Sequence, residues 1–267
     1  MPTFQTTGCE LYYDDEGAGR PVVFIPGFTC TVRFFDHQRD AVSSWGRFLV
    51  VDPRSHGRSE KLLAGNTVRS QTQDIHDLLE GLDLNGVVLV GWSNGAFNVW
   101  QYFADHGADR LAGVVLVDES PCPVSRDDWQ LGYFDLPSLV HAMEARQTDS
   151  PTLVRQGFLP RLFTAEQPGE VLELLAREVL MMPPAIAAAV GLDSMGRDYR
   201  PMVGGVTTPA LVCSGAKSFV APGNHEWIVE HTPSARGVVF DNSGHMPFWE
   251  EADRFNEELA GFVSALG

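Results

Sequence analysis

The chain has 267 residues, 44% hydrophobic and 20% charged, an ordinary globular composition that excludes disorder as its main character. Thirty-five acidic against 19 basic residues give a formal charge of −16. Such a surface repels phosphate backbones and anionic lipid headgroups, which argues against nucleic-acid and membrane partners.

The first ten residues carry neither a basic start nor an apolar core, and no apolar run approaches membrane-spanning length, so a cytoplasmic protein is expected. Cys9, Cys30, Cys122 and Cys213 are scattered without ligand-like spacing and read as buried or incidental thiols, with no metal expected. This length suits one large α/β domain with room for an insertion.

In chain order, residues 10–15 read as a hairpin strand with its turn at 16–21. Val22-Val23-Phe24-Ile25 is a buried strand ending at Pro26-Gly27-Phe28. Helical spacing over 31–44 is followed by a strand at 47–51 and a polar loop at 52–59, whose His56 reads as structural because a better-placed histidine appears later. Residues 68–82 form an amphipathic helix with Ile75, Leu78, Leu79 and Leu82 on its apolar face and His76 and Asp77 on its polar one.

The central stretch runs from Gly86 to Trp100. Val87-Val88-Leu89-Val90 is too short and apolar for anything but a buried strand, and it stops at Gly91-Trp92-Ser93-Asn94-Gly95. Small residues two before and two after a serine permit a tight strand-to-helix turn that lifts the Ser93 hydroxyl above the sheet edge. Acyl chemistry there needs two backbone N–H donors for the developing oxyanion. Asn94 offers one, and Phe28, after the earlier strand, offers the other.

A helix over 97–106 and a buried strand over 111–117 follow, the strand ending in Asp118-Glu119-Ser120-Pro121. Carboxylates at a strand's carboxyl end lie where ligands gather in an open parallel sheet. Residues 121–200 break the alternation with helix-like pieces such as 170–180 and with Trp129, Phe134, Met143, Phe158 and Met182, which reads as a helical cap over the site. Residues 1–120 and 201–267 then make up the core. Strands at 209–213 and 237–240 and helices at 222–230 and 248–266 complete it, with His245 on the glycine-hinged loop at 241–247. The order Ser, acid, His is that of a nucleophile-elbow enzyme.

These residues together resemble the α/β-hydrolase fold over essentially the whole chain: the elbow, the Ser55-His56-Gly57-Arg58-Ser59 loop, and Ser243-Gly244-His245 followed by Pro-Phe. Residues 92–116 are similar to the cofactor-free haloperoxidase or perhydrolase group. The resemblance implies an acid after the 209–213 strand, but this chain has Gly215-Ala216-Lys217-Ser218 there and no carboxylate between Val212 and Asn224. Haloalkane dehalogenases, zearalenone-type lactone hydrolases and cofactor-free quinolone dioxygenases place the acid one strand earlier, and the match falls on Asp118, with Glu119 the alternative.

The resemblance therefore implies a metal- and cofactor-free serine hydrolase with Ser93 as nucleophile, His245 as base and Asp118 as its orienting acid. Serine at the elbow argues against dehalogenase and epoxide-hydrolase chemistry. Trp92, Trp129 and Met246 are expected to line a pocket for a small hydrophobic ester or lactone, in a monomer or homodimer. Three alternatives come with the resemblance: a cofactor-independent oxygenase using the His245–Asp118 pair as base on an N-heteroaromatic substrate, a perhydrolase or haloperoxidase side activity that still requires Ser93, and a non-catalytic small-molecule receptor.

Overall fold

The computed structural model describes residues 2–267. Eight strands form one sheet in the order β1-β2-β4-β3-β5-β6-β7-β8. They are β1 (Thr3–Gln5), β2 (Glu10–Gly17), β3 (Pro21–Ile25), β4 (Arg47–Asp52), β5 (Val87–Trp92), β6 (Leu111–Val117), β7 (Ala210–Gly215) and β8 (Ala235–Phe240). Strands β3 to β8 are mutually parallel, and β1 and β2 add antiparallel at one edge.

The central strands are apolar along their whole length because both sheet faces are covered. Side chains of successive strand residues point to opposite faces. Val22, Phe24, Val88, Val90 and Trp92 thus enter the core on one face, and Val23, Ile25, Val87 and Leu89 enter the core on the other. A third, smaller core unites Phe28 with Leu139, Met143, Ile186 and Ala187. That cluster joins the loop after β3 to the helices Leu136–Thr148 and Pro184–Met195, which sit between β6 and β7 in sequence with Gly169–Val179.

Strand β3 lies between β4 and β5, so the chain order reverses beside the carboxyl ends of β3 and β5. Crevices form at such switch points. The loop holding Gly27 and Phe28 leaves β3 here, and Ser93 leaves β5.

Three expectations need correction. Strand β2 does not form a hairpin with β3: it pairs antiparallel with β4, Tyr12 opposite Asp52 and Gly17 opposite Arg47, while β3 is parallel to β4. The turn residues are local, but the partner is chosen by the sheet. The 31–44 segment begins as a 3-10 turn, Val32–Phe35, capped by Thr31, before the α-helix Asp36–Ser43. The closing helix is two pieces, Pro247–Glu250 and Ala252–Ser264, separated at Glu251, whose backbone is non-helical. No single helix among the described residues is long and apolar enough to cross a membrane.

Candidate active site

The turn at Ser93 is strained, with φ 51° and ψ −121°, in a region that side-chain-bearing residues rarely adopt. Its glycines are steric necessities. A Cβ on Gly91 would stand 2.4 Å from the Gly95 carbonyl oxygen, and one on Gly95 would stand 2.3 Å from that of Ile25. A Cβ on Gly27 would meet Ser93 Cβ at 3.1 Å and the Trp92 ring at 3.2 Å, so the β3 loop passes directly over the elbow. Asn94 opens the helix Asn94–His106, whose first N–H groups have no intrahelical acceptor and whose dipole is positive at this end.

Asp118 also takes a positive φ, 48°, and this turn aims its carboxylate along the sheet edge rather than into the next loop. His245 Nδ1 lies 2.6 Å from Asp118 Oδ2, with both side chains almost wholly buried. The other carboxylate oxygen accepts from the Gly215 backbone N–H at 3.1 Å, and the Ser218 hydroxyl donates to Oδ2. The β7 loop, which lacks a carboxylate of its own, thus supplies two donors to the one on β6. Trp92 Nε1 donates to the His245 carbonyl at 2.8 Å, pinning the histidine loop to the elbow strand.

Glu119 does not reach His245. Its Oε2 is hydrogen-bonded with Ser93 Oγ at 3.3 Å, and its Oε1 accepts from the Ser120 N–H at 2.6 Å and the Tyr133 hydroxyl at 2.9 Å. Burial, opposed by these hydrogen bonds and joined by the nearby Asp118 charge, pushes its carboxyl up to about 8. The Tyr133 hydroxyl is held well above its ordinary range by burial and the neighbouring Glu119, so it stays a donor.

A cavity of about 230 Å³ opens over Ser93 and His245. Phe28 and Trp92 contribute to it, together with Phe134, Met143, Phe158 and Phe219. Trp129 and Met246 do not. Trp129 donates from Nε1 to the Cys122 carbonyl at 2.9 Å and packs edge-on against Trp227, while Met246 is fully buried in the sheet core. Both are large apolar residues near the site in sequence, and packing claimed them. Sequence reasoning missed Tyr133, Arg146 and Phe219, which carry no motif: the first two come to the cavity through the path of the segment between β6 and β7, and Phe219 comes from the loop after β7.

His56 is fully buried with Nδ1 3.0 Å from the Arg54 carbonyl. It lies in the loop framed by Asp52, which accepts from the Val32 and Arg58 N–H groups, and it does not line the cavity. The four cysteines are free and buried. No group of three or more potential metal ligands occurs among the described residues.

Residues 22–258 match the model of the alpha/beta hydrolase family. A non-heme chloroperoxidase, CPO-A1 of Kitasatospora aureofaciens, is 28% identical over 99% of this chain and 100% of its own length. Among solved structures, an esterase from Exiguobacterium antarcticum superposes with a TM-score of 0.93 at 25% identity, covering 98% of each chain. The enol-lactonase from Burkholderia xenovorans LB400 gives 0.86 at 25% identity, covering 98% of this chain and all of that one. The match along 22–258, on a sheet that carries a serine elbow at its switch point, identifies the chain as an enzyme belonging to the alpha/beta hydrolase family.

Proposed function

We propose that this enzyme cleaves a carboxylic ester or lactone through an acyl-enzyme on Ser93. The observation that carries the reading is the buried 2.6 Å contact between His245 Nδ1 and Asp118 Oδ2, beside a serine held in a strained elbow. Asp118 accepts the hydrogen bond from Nδ1–H and so leaves Nε2 as the basic nitrogen. Nε2 takes the Ser93 proton as Oγ attacks the carbonyl carbon, then returns it to the leaving alkoxide; water repeats the sequence on the acyl-enzyme. The N–H groups of Phe28 and Asn94 stabilise the oxyanion, each contributing about 3 kcal/mol to the transition state.

The raised Glu119 carboxyl fits this scheme. In its neutral form it keeps a second negative charge away from the oxyanion, and the Ser93 hydroxyl, which donates to its Oε2 at 3.3 Å, turns to His245 as its proton is transferred. The helical segment 121–200 acts as the cap, walling off the site with Tyr133, Phe134, Met143 and Phe158. The similarity to an esterase and an enol-lactonase supports the bond type.

The test is hydrolysis of a p-nitrophenyl ester series and a lactone panel by the wild type, Ser93→Ala, Asp118→Asn and Glu119→Gln. Turnover that vanishes in Ser93→Ala and falls far more in Asp118→Asn than in Glu119→Gln supports the assignment. A wild type that turns over nothing, or a Ser93→Ala variant with full activity, overturns it.

A further inference from the structure

The cavity over Ser93 is lined by two guanidinium groups, Arg146 and Arg161, and by no carboxylate. In a chain of formal charge −16 this is a local inversion of sign. Arg161 is exposed and lies over the Phe219 ring at 5.0 Å, so water screens it. Arg146 is different: it is 3% exposed. Its Nη2 donates to Thr29 Oγ1 at 2.8 Å, and the Phe28 and Phe158 rings each lie 5.5 Å from the guanidinium carbon. It has no ion pair with any carboxylate among the described residues. Cys30, the nearby group that could have supplied a thiolate, is kept neutral by its burial.

A buried cation without a counter-ion is costly, and proteins retain one where something of opposite charge completes it. A guanidinium presents five N–H donors in a planar fork that matches a carboxylate. Aromatic walls favour a planar, singly charged group over a compact dianion, because only one buried cation is present to balance it.

We propose that Arg146 is the anchor for a carboxylate on the substrate, so that the enzyme acts on an ester or lactone bearing a free carboxylate and releases a dicarboxylic acid or its hydroxy derivative. The proposal rests on the hydrolase reading above and replaces a purely hydrophobic substrate with an amphipathic one. The apolar cavity wall holds the chain between the two ends, and the length of that chain is set by the separation of Arg146 from Ser93. Because Arg146 also bonds Thr29, next to Phe28, an occupied anchor bears on the loop that supplies the proposed oxyanion donor.

The experiment compares monoethyl esters of dicarboxylic acids of increasing length with their ω-carboxamide isosteres, in the wild type, Arg146→Met and Arg146→Gln. The readout is the ratio of kcat/KM for the two substrates within one preparation, so any loss of folded enzyme cancels. The wild type is expected to favour the carboxylate by about 10- to 100-fold at one optimal length, mostly in KM, the range of a hydrogen bond to a charged partner. Both variants should bring the ratio close to one. A wild-type ratio at or below one at every length, or a ratio unchanged in the variants, overturns the proposal even if one variant fails to fold.

Calorimetric titration of free dicarboxylates onto Ser93→Ala separates this proposal from the hydrolase reading. Arg146-dependent binding, with no ester turned over by the wild type, removes the hydrolase reading and leaves the anion site standing. Ester turnover with no dicarboxylate binding and no carboxylate preference removes the anion site alone.

Discussion

Ser218 donates its hydroxyl to Asp118, the carboxylate that holds His245, from the loop after β7 where the resemblance to other hydrolases implies the acid itself. The carboxylate stands at the end of β6 and its hydroxyl donor beyond the adjacent β7, and the Gly215 N–H completes the cradle. The geometry around the imidazole is thereby kept with the charge moved from one strand end to its neighbour.

That arrangement predicts a rescue. Asp118→Asn should lower kcat by about three to four orders of magnitude on a p-nitrophenyl ester, because the amide favours the wrong imidazole tautomer. Adding Ser218→Asp should recover at least tenfold, since an aspartate there faces the same histidine from the other strand. A double variant no faster than Asp118→Asn would refute that account.

The elbow's glycines predict a stability effect distinct from catalysis. Gly95→Ala forces a Cβ to 2.3 Å from the Ile25 carbonyl oxygen, and backbone on both sides leaves little room to yield. A loss of about 2–3 kcal/mol in unfolding free energy is expected, read from urea midpoints. Gly169→Ala is the control, since its Cβ meets nothing within 4 Å; a Gly95→Ala midpoint equal to the control's contradicts the steric account.

Glu119 predicts two pH effects. Burial raises its folded-state carboxyl from the ordinary 4.5 to about 8, so between those values the unfolded chain ionises while the folded one does not. Stability supplied by the neutral form is therefore lost as pH rises through that window. The melting temperature of Glu119→Gln relative to wild type should increase from pH 5 to pH 8. In parallel, wild-type kcat/KM should fall above about pH 8 as a charge appears beside Ser93, and this limb should be absent in Glu119→Gln. A wild-type and variant pair with parallel profiles argues that Glu119 is already ionised at neutral pH.

His56 predicts the opposite slope. Burial lowers its imidazole from the ordinary 6.5 to about 4, so the unfolded state takes up the proton first as pH falls, and stability drops below about pH 6.5. Over the full window the loss is of the order of 3 kcal/mol. In His56→Gln the acid slope of the unfolding free energy should flatten, while kcat per folded molecule at pH 7.5 stays within about threefold, because His56 does not line the cavity. A large fall in kcat would instead put this histidine in the catalytic machinery.

Much was legible in sequence because local rules set it. Short, continuous apolar runs ended by glycine, proline or polar residues read as strands covered on both faces, and β3, β5, β6 and β7 are those runs. Glycines two before and two after Ser93 announced a turn that nothing larger can make. The missing carboxylate near Ser218 pointed to Asp118 and Glu119 as the nearest strand-end carboxylates, and Asp118 is the one that meets His245.

What tertiary structure decided was every question about which partner a residue meets. The backbone turn at Asp118, not its composition, sends one carboxylate to His245 and the next to Ser93. The pairing of β2 with β4 depends on a strand thirty residues downstream, and Trp129 and Met246 went to packing because better-fitting neighbours surrounded them. Arg146 in a string reads as one more charge on a helix. Only when the helices between β6 and β7 fold over the sheet edge does it become a buried cation facing the cavity over Ser93. Period and turn chemistry act over a few residues, whereas burial, pairing and pKa depend on contacts between segments far apart in the chain.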